Sequence, residues 1–369
     1  ECHGPDWSLG QSTMAELPGG AIALRLRRDG ADSVAVLHQG STTADRLDQP
    51  CVSVSGVCGL GGGAAWLGAT HETAAAAWWW AGPAHESSRS PRPWLPPERP
   101  LLAAADVSVA RHFSFEGRSG WTVHGLYFPP TLSGTRGPSG VAPPLVVTCH
   151  GGPTGSAEAG FDPVVQLLTT RGYAVAAVDY AGSTGYGRAY RERLRGRWGE
   201  ADVDDCVDAA LFLAAHGQAD SARMAIRGSS AGGLTALGAL VRSDAFAAAV
   251  SWYGVTDLLA LVAATHDFES RYTDRLVGPL PEAKDEYRRR SPVNRVDDIT
   301  GSVLVLQGLD DPVVPPSQAE SMVAALLARG IECRYLAFPG ESHGFRRAET
   351  LQVCLEAELE FYADCLAGS

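Results

Sequence analysis

The sequence predicts an α/β domain preceded by a small all-β domain. Residues 105–369 alternate apolar strands with amphipathic helices, whereas residues 1–104 contain only short β-like runs separated by turn residues. The first pattern is typical of a mostly parallel sheet with helices on both faces. We therefore expect the two domains to meet near residue 104. The stretch 87–100, which is rich in Pro, Ser and Arg, is predicted to connect them.

The all-β domain shows five strand-like runs with turn residues between them. This number is too small for a closed barrel or propeller. Three consecutive tryptophans, residues 78–80, are expected to pack between strands or sheets, with an aromatic binding surface as the alternative. The five strands are predicted at residues 21–26, 33–37, 51–57, 64–68 and 74–80.

The α/β domain begins with two strands, at residues 111–115 and 122–128, and helices enter the pattern after them. Strands are then predicted at residues 144–148, 174–178, 222–226, 247–252, 302–307 and 332–338. Helices are predicted at residues 163–170, 202–215, 233–241, 318–329 and 348–367.

One serine, Ser230, lies at the centre of a glycine frame that runs from Gly228 to Gly232. The apolar run 222–226 precedes the frame, and a helical run of small residues, 233–241, follows it. This order is typical of a nucleophile elbow, a tight strand-to-helix turn that exposes a serine hydroxyl. Such a turn brings strand and helix too close for a Cβ at Gly228 and Gly232. A glycine-rich turn with a capping serine is the alternative.

A serine hydroxyl needs a base to accept its proton and an acid to orient that base. In the α/β-hydrolase fold the chain order is serine, then acid, then histidine. Strand 302–307 leads to two adjacent acids, of which Asp311 is the preferred candidate and Asp310 the alternative. Of the ten histidines only His343 follows Asp311, in a loop beyond a predicted strand. We therefore predict Ser230 as nucleophile, Asp311 as acid and His343 as base.

Acyl transfer also requires hydrogen-bond donors for the oxyanion that develops on the substrate. The residues His-Gly-Gly-Pro at 150–153 follow strand 144–148, which is where the α/β-hydrolase fold has its oxyanion loop. The backbone N–H groups of Gly152 and Ala231 are the predicted donors.

The composition and the motifs limit which partners the protein can bind and in which compartment we expect it. The formal net charge of −12 argues against nucleic acid and against an anionic membrane surface as partners. No run of about twenty apolar residues is present, so no membrane span is predicted. The eight cysteines lack metal-binding spacing and favour a reducing, cytoplasmic location. No metal or cofactor is predicted, because His150 has no ligand partner at suitable spacing and residues 182–187 lack a phosphate-binding pattern.

Six ordered motifs carry a resemblance to a known family. Residues 105–369 resemble the catalytic domain of the prolyl oligopeptidase family of serine peptidases, and its acylaminoacyl-peptidase and dipeptidyl-aminopeptidase branch in particular. The resemblance implies Ser230 as nucleophile, Asp311 as acid and His343 as base. It also implies an N-terminal β-propeller that caps the site and filters substrates by size. The motifs are HGGP at 150–153, DYAGSTGYG at 179–187, GSSAGG at 228–233, RSP at 290–292, QGLDDPVVP at 307–315 and ESHGF at 341–345.

The all-β domain contains strands for about two propeller blades, whereas propellers have typically about four to eight. An incomplete propeller would expose an unpaired strand edge. We therefore expect a missing N-terminal segment or a second copy of the chain to cover that edge.

These features together predict a serine hydrolase that cleaves peptide or amide bonds of short peptides or N-acyl amino acids through an acyl-enzyme on Ser230. An esterase, amidase or acyltransferase that acts on a small acyl substrate is the alternative, and a catalytically silent binding scaffold is a third hypothesis. An apolar, aromatic pocket would suit a hydrophobic acyl group. The candidates to line it are Trp252, Tyr253, Phe268, Tyr272 and Val314.

Overall fold

Two four-stranded antiparallel sheets form the N-terminal part of the chain. The computed structural model describes residues 1–2, 4–5, 7, 10–82, 90–95, 100–264 and 271–367. The first sheet contains β1 (Met14–Glu16), β2 (Ile22–Arg28), β3 (Ala31–Leu37) and β4 (Ala44–Arg46). The second contains β5 (Ser53–Leu60), β6 (Gly63–Ala69), β7 (Ala76–Trp80) and β8 (Arg92–Pro93).

A shared apolar core, which includes Val34, Val54 and Trp66, joins the two sheets. The five predicted strands correspond to β2, β3, β5, β6 and β7. The sequence does not predict β1, β4 and β8, because strands of two or three residues are too short to show alternation. Within the predicted connector at residues 87–100, residues 92–93 form β8, which pairs with β7. Residues 87–89 and 96–99 of this stretch lie outside the described residues. The proposed boundary at residue 104 stays a prediction.

The three consecutive tryptophans divide between the core and the surface of the second sheet, since neighbouring side chains on a strand point to opposite faces. Trp80 is buried in the core between the sheets. Trp78 donates from Nε1 to the carbonyl oxygen of Gly68 at 3.1 Å. The ring of Trp79 lies under the guanidinium of Arg92, 4.8 Å from its centroid. The packing prediction is therefore confirmed for Trp80.

An eight-stranded sheet forms the second part of the chain. Its spatial order is β16-β15-β14-β13-β11-β12-β10-β9, and the six strands from β16 to β12 are parallel. Strands β10 and β9 continue the sheet in antiparallel pairing. The strands are β9 (Arg111–Glu116), β10 (Thr122–Phe128), β11 (Leu145–Cys149), β12 (Ala174–Asp179), β13 (Met224–Ser229), β14 (Ala248–Trp252), β15 (Ser302–Gly308) and β16 (Cys333–Phe338).

Helices cover both faces of this sheet, so the predicted α/β fold class is confirmed. Helices α3, α4 and α8 pack on one face, and α1 and α9 on the other. Helices α2, α5, α6 and α7 are not predicted by the sequence. They span four to seven residues, about one to two helical turns, which leaves little periodicity to recognise. The helices are α1 (Pro163–Thr169), α2 (Arg188–Arg191), α3 (Ala201–Ala215), α4 (Ala231–Arg242), α5 (Leu258–Ala264), α6 (Tyr272–Leu276), α7 (Lys284–Arg290), α8 (Pro316–Ala328) and α9 (Ala348–Cys365). Among the described residues, no helix is long and apolar enough to cross a membrane.

The register of the parallel strands brings their carboxyl ends to one edge. Cys149 at the end of β11 pairs with Gly228, and Ser229 at the end of β13 pairs with Trp252. Gly308 at the end of β15 pairs with Phe338 at the end of β16. Loops that leave these strands therefore start side by side, which is the usual place for a site in an α/β fold.

The first β sheet contacts the α/β part through a buried arginine. The guanidinium of Arg27 donates from Nη2 to the carbonyl oxygen of Ala157, and its Nη1 lies 3.7 Å from the carboxylate of Asp32. The second sheet contributes Ser53, whose hydroxyl accepts the N–H of Gly160 at 3.0 Å. Both sheets thus contact the segment that follows the predicted oxyanion loop.

Candidate active site

Ser230 lies at a strained turn between β13 and α4. Its φ is 55° and its ψ is −120°, a region that non-glycine residues rarely adopt. A Cβ on Gly228 would lie 2.0 Å from the carbonyl oxygen of Gly232. A Cβ on Gly232 would lie 2.3 Å from that of Cys149. Backbone contact therefore requires glycine at both positions, as predicted for a nucleophile elbow.

The imidazole of His343 bridges the serine and an acid. Its Nε2 lies 2.9 Å from Oγ of Ser230, and its Nδ1 lies 2.8 Å from Oδ2 of Asp311. These distances fit a relay in which Nδ1–H donates to the carboxylate and the serine hydroxyl donates to Nε2. The structure therefore brings together the three residues that the sequence singles out.

Asp311 and Asp310 have opposite surroundings. Asp311 is buried, and its Oδ1 accepts the N–H groups of Val313 and Val314 at 2.8 and 2.9 Å. This leaves Oδ2 directed at His343. Asp310 is exposed, and its backbone N–H donates to the carbonyl oxygen of Glu341 at 2.9 Å. The geometry favours Asp311 as the acid.

The predicted oxyanion loop lies against the nucleophile. A Cβ built on Gly151 would lie 3.5 Å from Cβ of Ser230. Gly152 has a φ of +119°, which favours glycine. The N–H groups of Gly152 and Ala231 donate to no other group among the described residues. Two free donors beside a serine hydroxyl are the arrangement that stabilises a tetrahedral oxyanion.

His150 holds this loop and stays neutral. Its Nε2 lies 2.7 Å from Oγ of Ser183, and its ring stacks on Tyr180 with centroids 4.2 Å apart. Burial lowers the pKa of His150 to about 4, and the positive charge of Arg27 acts in the same direction. A half-buried, neutral imidazole with these partners fixes the backbone at the start of the oxyanion loop. The described residues contain no cluster of three or more His, Cys, Asp or Glu side chains that could hold a metal ion.

The sequence model of the prolyl oligopeptidase family matches residues 159–369, which is more than half of the chain. The chain belongs to the prolyl oligopeptidase family. The resemblance predicted from six motifs is thereby confirmed. A curated relative of the family, dipeptidyl aminopeptidase BIII from Pseudoxanthomonas mexicana, is 32% identical over 231 residues, which are 61% of this chain and 34% of the relative.

Solved structures extend the similarity over nearly the whole chain. A puromycin-hydrolyzing peptidase from Mycobacterium tuberculosis is 40% identical, with a TM-score of 0.92 over 99% of this chain and 56% of that one. A puromycin hydrolase is 39% identical, with a TM-score of 0.94 over 100% of this chain and 55% of that one. The chain thus spans about half the length of these structures, and its two small β sheets lie within the part that it shares with them.

The predicted pocket residues of this family member differ in their surroundings. Tyr253 lies beside the site, with its ring 5.0 Å from that of His343. Tyr272 is half-buried, and its hydroxyl lies 2.8 Å from that of Thr154, on the segment that follows the oxyanion loop. Val314 is buried in the apolar cluster that includes Ala231, and its N–H donates to Asp311.

Trp252 does not enter this arrangement. The ring of Trp252 packs in the core 5.6 Å from that of Phe345, and its Nε1 donates to the carboxylate of Glu358 at 3.0 Å. The prediction that Trp252 lines the pocket is therefore corrected to a core position, because the last residue of β14 points to the face covered by α9. Phe268 lies outside the described residues.

Glu341 is a positioning residue that sequence reasoning missed. It is buried two residues before His343, and its carboxylate accepts the N–H groups of Arg346 and Arg347 at 3.0 and 3.1 Å. Burial would raise the pKa of Glu341, but these donors and the hydroxyl of Thr350 hold it below the ordinary value. The ionised carboxylate thus joins the residues before and after His343 and holds the loop in place. An acid so close to the predicted base is the signal that could have identified it.

Proposed function

We propose that the protein is a serine hydrolase that cleaves a peptide or amide bond of short peptides or N-acyl amino acids. The observation that carries this proposal is the relay at His343, which lies 2.9 Å from the hydroxyl of Ser230 and 2.8 Å from the carboxylate of Asp311. A serine in such a relay is activated for attack on a carbonyl carbon.

Acylation uses the three residues in sequence. The hydroxyl oxygen of Ser230 attacks the carbonyl carbon, and Nε2 of His343 accepts the hydroxyl proton. Asp311 stabilises the imidazolium through Nδ1–H. The carbonyl oxygen becomes an oxyanion, which the N–H groups of Gly152 and Ala231 stabilise. The imidazolium then donates its proton to the leaving nitrogen, the carbon–nitrogen bond breaks, and the acyl group stays on Ser230.

Deacylation repeats these steps with water. His343 accepts a proton from a water molecule, whose oxygen attacks the acyl carbon, and the same two N–H groups stabilise the second oxyanion. The proton then returns to Oγ of Ser230 as the acid product leaves.

The surroundings of Ser230 support an apolar acyl group. Tyr253 and Tyr272 offer aromatic surface, and Val314 belongs to the apolar cluster beneath Ala231. We assign the side chains of Tyr253 and Tyr272 to the acyl pocket, and Val314, which is buried, to the apolar core that supports it. The relatives named as a dipeptidyl aminopeptidase and a puromycin-hydrolyzing peptidase support an amide bond as the target.

Labelling by an active-site probe tests the proposal. We expect a fluorophosphonate to label the purified protein, and Ser230→Ala to abolish labelling and lower turnover by at least about 10⁴-fold. Ser229→Ala, at the neighbouring serine of the frame, is the matched control and should label. A folded wild-type protein that fails to label would refute the proposal and favour a binding scaffold.

A substrate series separates the peptidase from its alternative. Aminoacyl, N-acylaminoacyl and dipeptidyl p-nitroanilides and puromycin would be compared with short p-nitrophenyl esters. We expect turnover of the amides. Labelled protein that turns over esters alone would support the esterase or acyltransferase.

A cytoplasmic location and a cover for the open β edge are further parts of this proposal. The eight cysteines, all free thiols, support a reducing compartment. We propose a further chain segment or a second copy of the chain as the cover. Light scattering would measure the oligomeric state, and hydrogen exchange would measure the protection of the β1 and β8 amides. A monomer whose β1 and β8 amides exchange rapidly would argue against the cover.

A further inference from the structure

A small cleft with a volume of about 60 Å³ opens beside the acyl pocket. The two share Tyr272, whose hydroxyl lies 2.8 Å from that of Thr154 in the wall of the cleft. Thr154 is only two residues beyond Gly152 of the oxyanion loop. The cleft therefore adjoins the acyl part of a substrate whose reacting carbonyl lies at Ser230.

Arginine side chains form most of the remaining wall of this cleft. Arg275 lies three residues after Tyr272 on α6, so the two side chains share one face of the helix. Arg191 and Arg195 belong to the segment 188–197, which follows the DYAGSTGYG motif and contains five arginines. The cleft thus has an aromatic side towards the acyl pocket and a basic side beyond it.

The three arginines carry more positive charge than their partners neutralise. The carboxylate of Glu192 lies 3.7 Å from Arg195 and 3.6 Å from Arg275. The carboxylate of Glu1 pairs with Arg191. Among the described residues, three guanidinium groups of the cleft therefore share two carboxylates. One positive charge is left unmatched, in a chain whose net charge is −12.

The guanidinium groups of Arg195 and Arg275 are accessible and keep their hydrogen-bond donors available. They are 67% and 61% exposed, and neither donates a hydrogen bond to another described residue. Glu192 is shared with Arg188 as well, and it lies farther from each arginine than a charge-assisted hydrogen bond allows. A guanidinium presents its N–H groups as a planar fork that matches a carboxylate. A carboxylate that enters the cleft can therefore accept hydrogen bonds from both arginines.

We propose that this cleft is a specificity site for a carboxylate on the acyl part of the substrate, such as the side chain of a glutamyl residue. The apolar stem of that side chain packs on the ring of Tyr272, and its carboxylate accepts hydrogen bonds from Arg195 and Arg275. Glu192 repels the same carboxylate and so limits the preference. This inference rests on the proposed role of Ser230 and adds a charge preference to it.

Glutamyl and glutaminyl p-nitroanilides, each with a free or an acetylated amino group, test the inference. The two side chains have the same shape, and only the first is charged. We expect the wild-type kcat/KM to be about 5- to 20-fold higher for the glutamyl member of the pair that is turned over. Arg275→Gln should lower this ratio at least about 3-fold. Arg288→Gln, at a side chain 56% exposed on α7, is the control and should keep the ratio.

The opposite substitution separates a lost charge from lost structure. Glu192→Gln removes the competing carboxylate and should raise the ratio about 3-fold. A variant that is merely damaged would instead lose turnover of both substrates equally. High salt should lower the wild-type ratio, because salt screens exposed charges.

Fluorophosphonate labelling distinguishes the possible failures. Labelled wild-type protein that shows no preference for the glutamyl substrates, or turns over neither of them, would overturn the inference while the role of Ser230 stands. A ratio that neither Arg275→Gln nor Glu192→Gln changes would also overturn it. Wild-type protein that does not label would overturn the role of Ser230 and this inference with it.

Discussion

At the scale of single residues, substitutions of the two adjacent acids after β15 are expected to have very different effects on activity. Asp311 accepts two backbone N–H groups and faces His343, whereas Asp310 faces solvent. We expect Asp311→Asn to lower kcat about 10³- to 10⁴-fold, because an amide donates to Nδ1 and favours the wrong imidazole tautomer. Asp310→Asn should stay within about 3-fold of wild type. Steady-state kinetics of both variants would measure this, and the reverse order of losses would make Asp310 the acid.

The sequence could predict the serine and the histidine of the site better than its acid or its pocket. His343 is the only histidine after both acids, so chain order alone selects it. Spacing does not report which of two adjacent carboxylates faces inward, since the N–H groups of the following loop decide that. Trp252 and Tyr253 follow one another at the end of β14, and the positive φ of Tyr253, 39°, separates their directions in a way that sequence patterns do not show.

At the scale of elements, the elbow between β13 and α4 has no room for a side chain at Gly228. We expect Gly228→Ala to lower the free energy of unfolding by about 1–3 kcal/mol, because the new Cβ would force strand and helix apart. Gly137→Ala is the matched control. No atom would lie within 4 Å of its Cβ, and its φ is not in the left-handed region. Urea unfolding would measure both, and equal stabilities would contradict the close packing of the elbow.

Helix α3 begins with a buried acid whose ionisation opposes folding. Burial raises the pKa of Asp202 to about 6, although the hydroxyl of Thr235 and the N–H of Gly199 act in the opposite direction. Between about pH 4 and 6 the folded state therefore binds more protons than the unfolded state. The contribution of Asp202 to the free energy of unfolding falls as pH rises through this window.

Asp202→Asn removes this ionisation and can keep the hydrogen bonds to Gly199 and Thr235. The amide oxygen can accept the N–H of Gly199, and the amide NH₂ can donate to the hydroxyl oxygen of Thr235. The hydroxyl proton of Thr235 can then go to the carbonyl oxygen of Ala231, 3.3 Å away. We expect the stability of the variant, relative to wild type, to rise between about pH 4 and 6. Asp285→Asn, at a side chain 97% exposed on α7, is the control and should show no such trend. Thermal unfolding at several pH values would measure the difference, and a constant difference would disprove the raised pKa.

The long elements of the fold could be predicted because each buries enough residues to show a pattern. Strand β11 is apolar almost throughout, and α3 repeats buried side chains over 15 residues. Strands β1, β4 and β8 span only two or three residues, and their pairing depends on neighbours elsewhere in the sheet. Their positions are set by tertiary contacts, which local sequence does not record.

At the scale of the whole molecule, Arg27 joins the first β sheet to the α/β part. Its side chain is 2% exposed, pairs with Asp32 and donates to Ala157. We expect Arg27→Met to lower the free energy of unfolding by about 2–4 kcal/mol, because Asp32 then keeps only the more distant Arg25 as a cation. Arg46→Met, on the exposed side of β4, should change it by less than about 0.5 kcal/mol. Similar urea midpoints for both variants would contradict the anchoring role of Arg27.

The aligned carboxyl ends of β11, β13, β15 and β16 have a consequence for how the protein would fail under stress. The groups assigned to chemistry are attached to four strands of one continuous hydrogen-bonded ladder, whose residues lie in the two largest apolar clusters. Such a ladder tends to open as a single cooperative unit. Inactivation by denaturant should then be all-or-none, with each molecule either fully reactive or unfolded, and no population of folded but slower enzyme should precede the loss of the sheet.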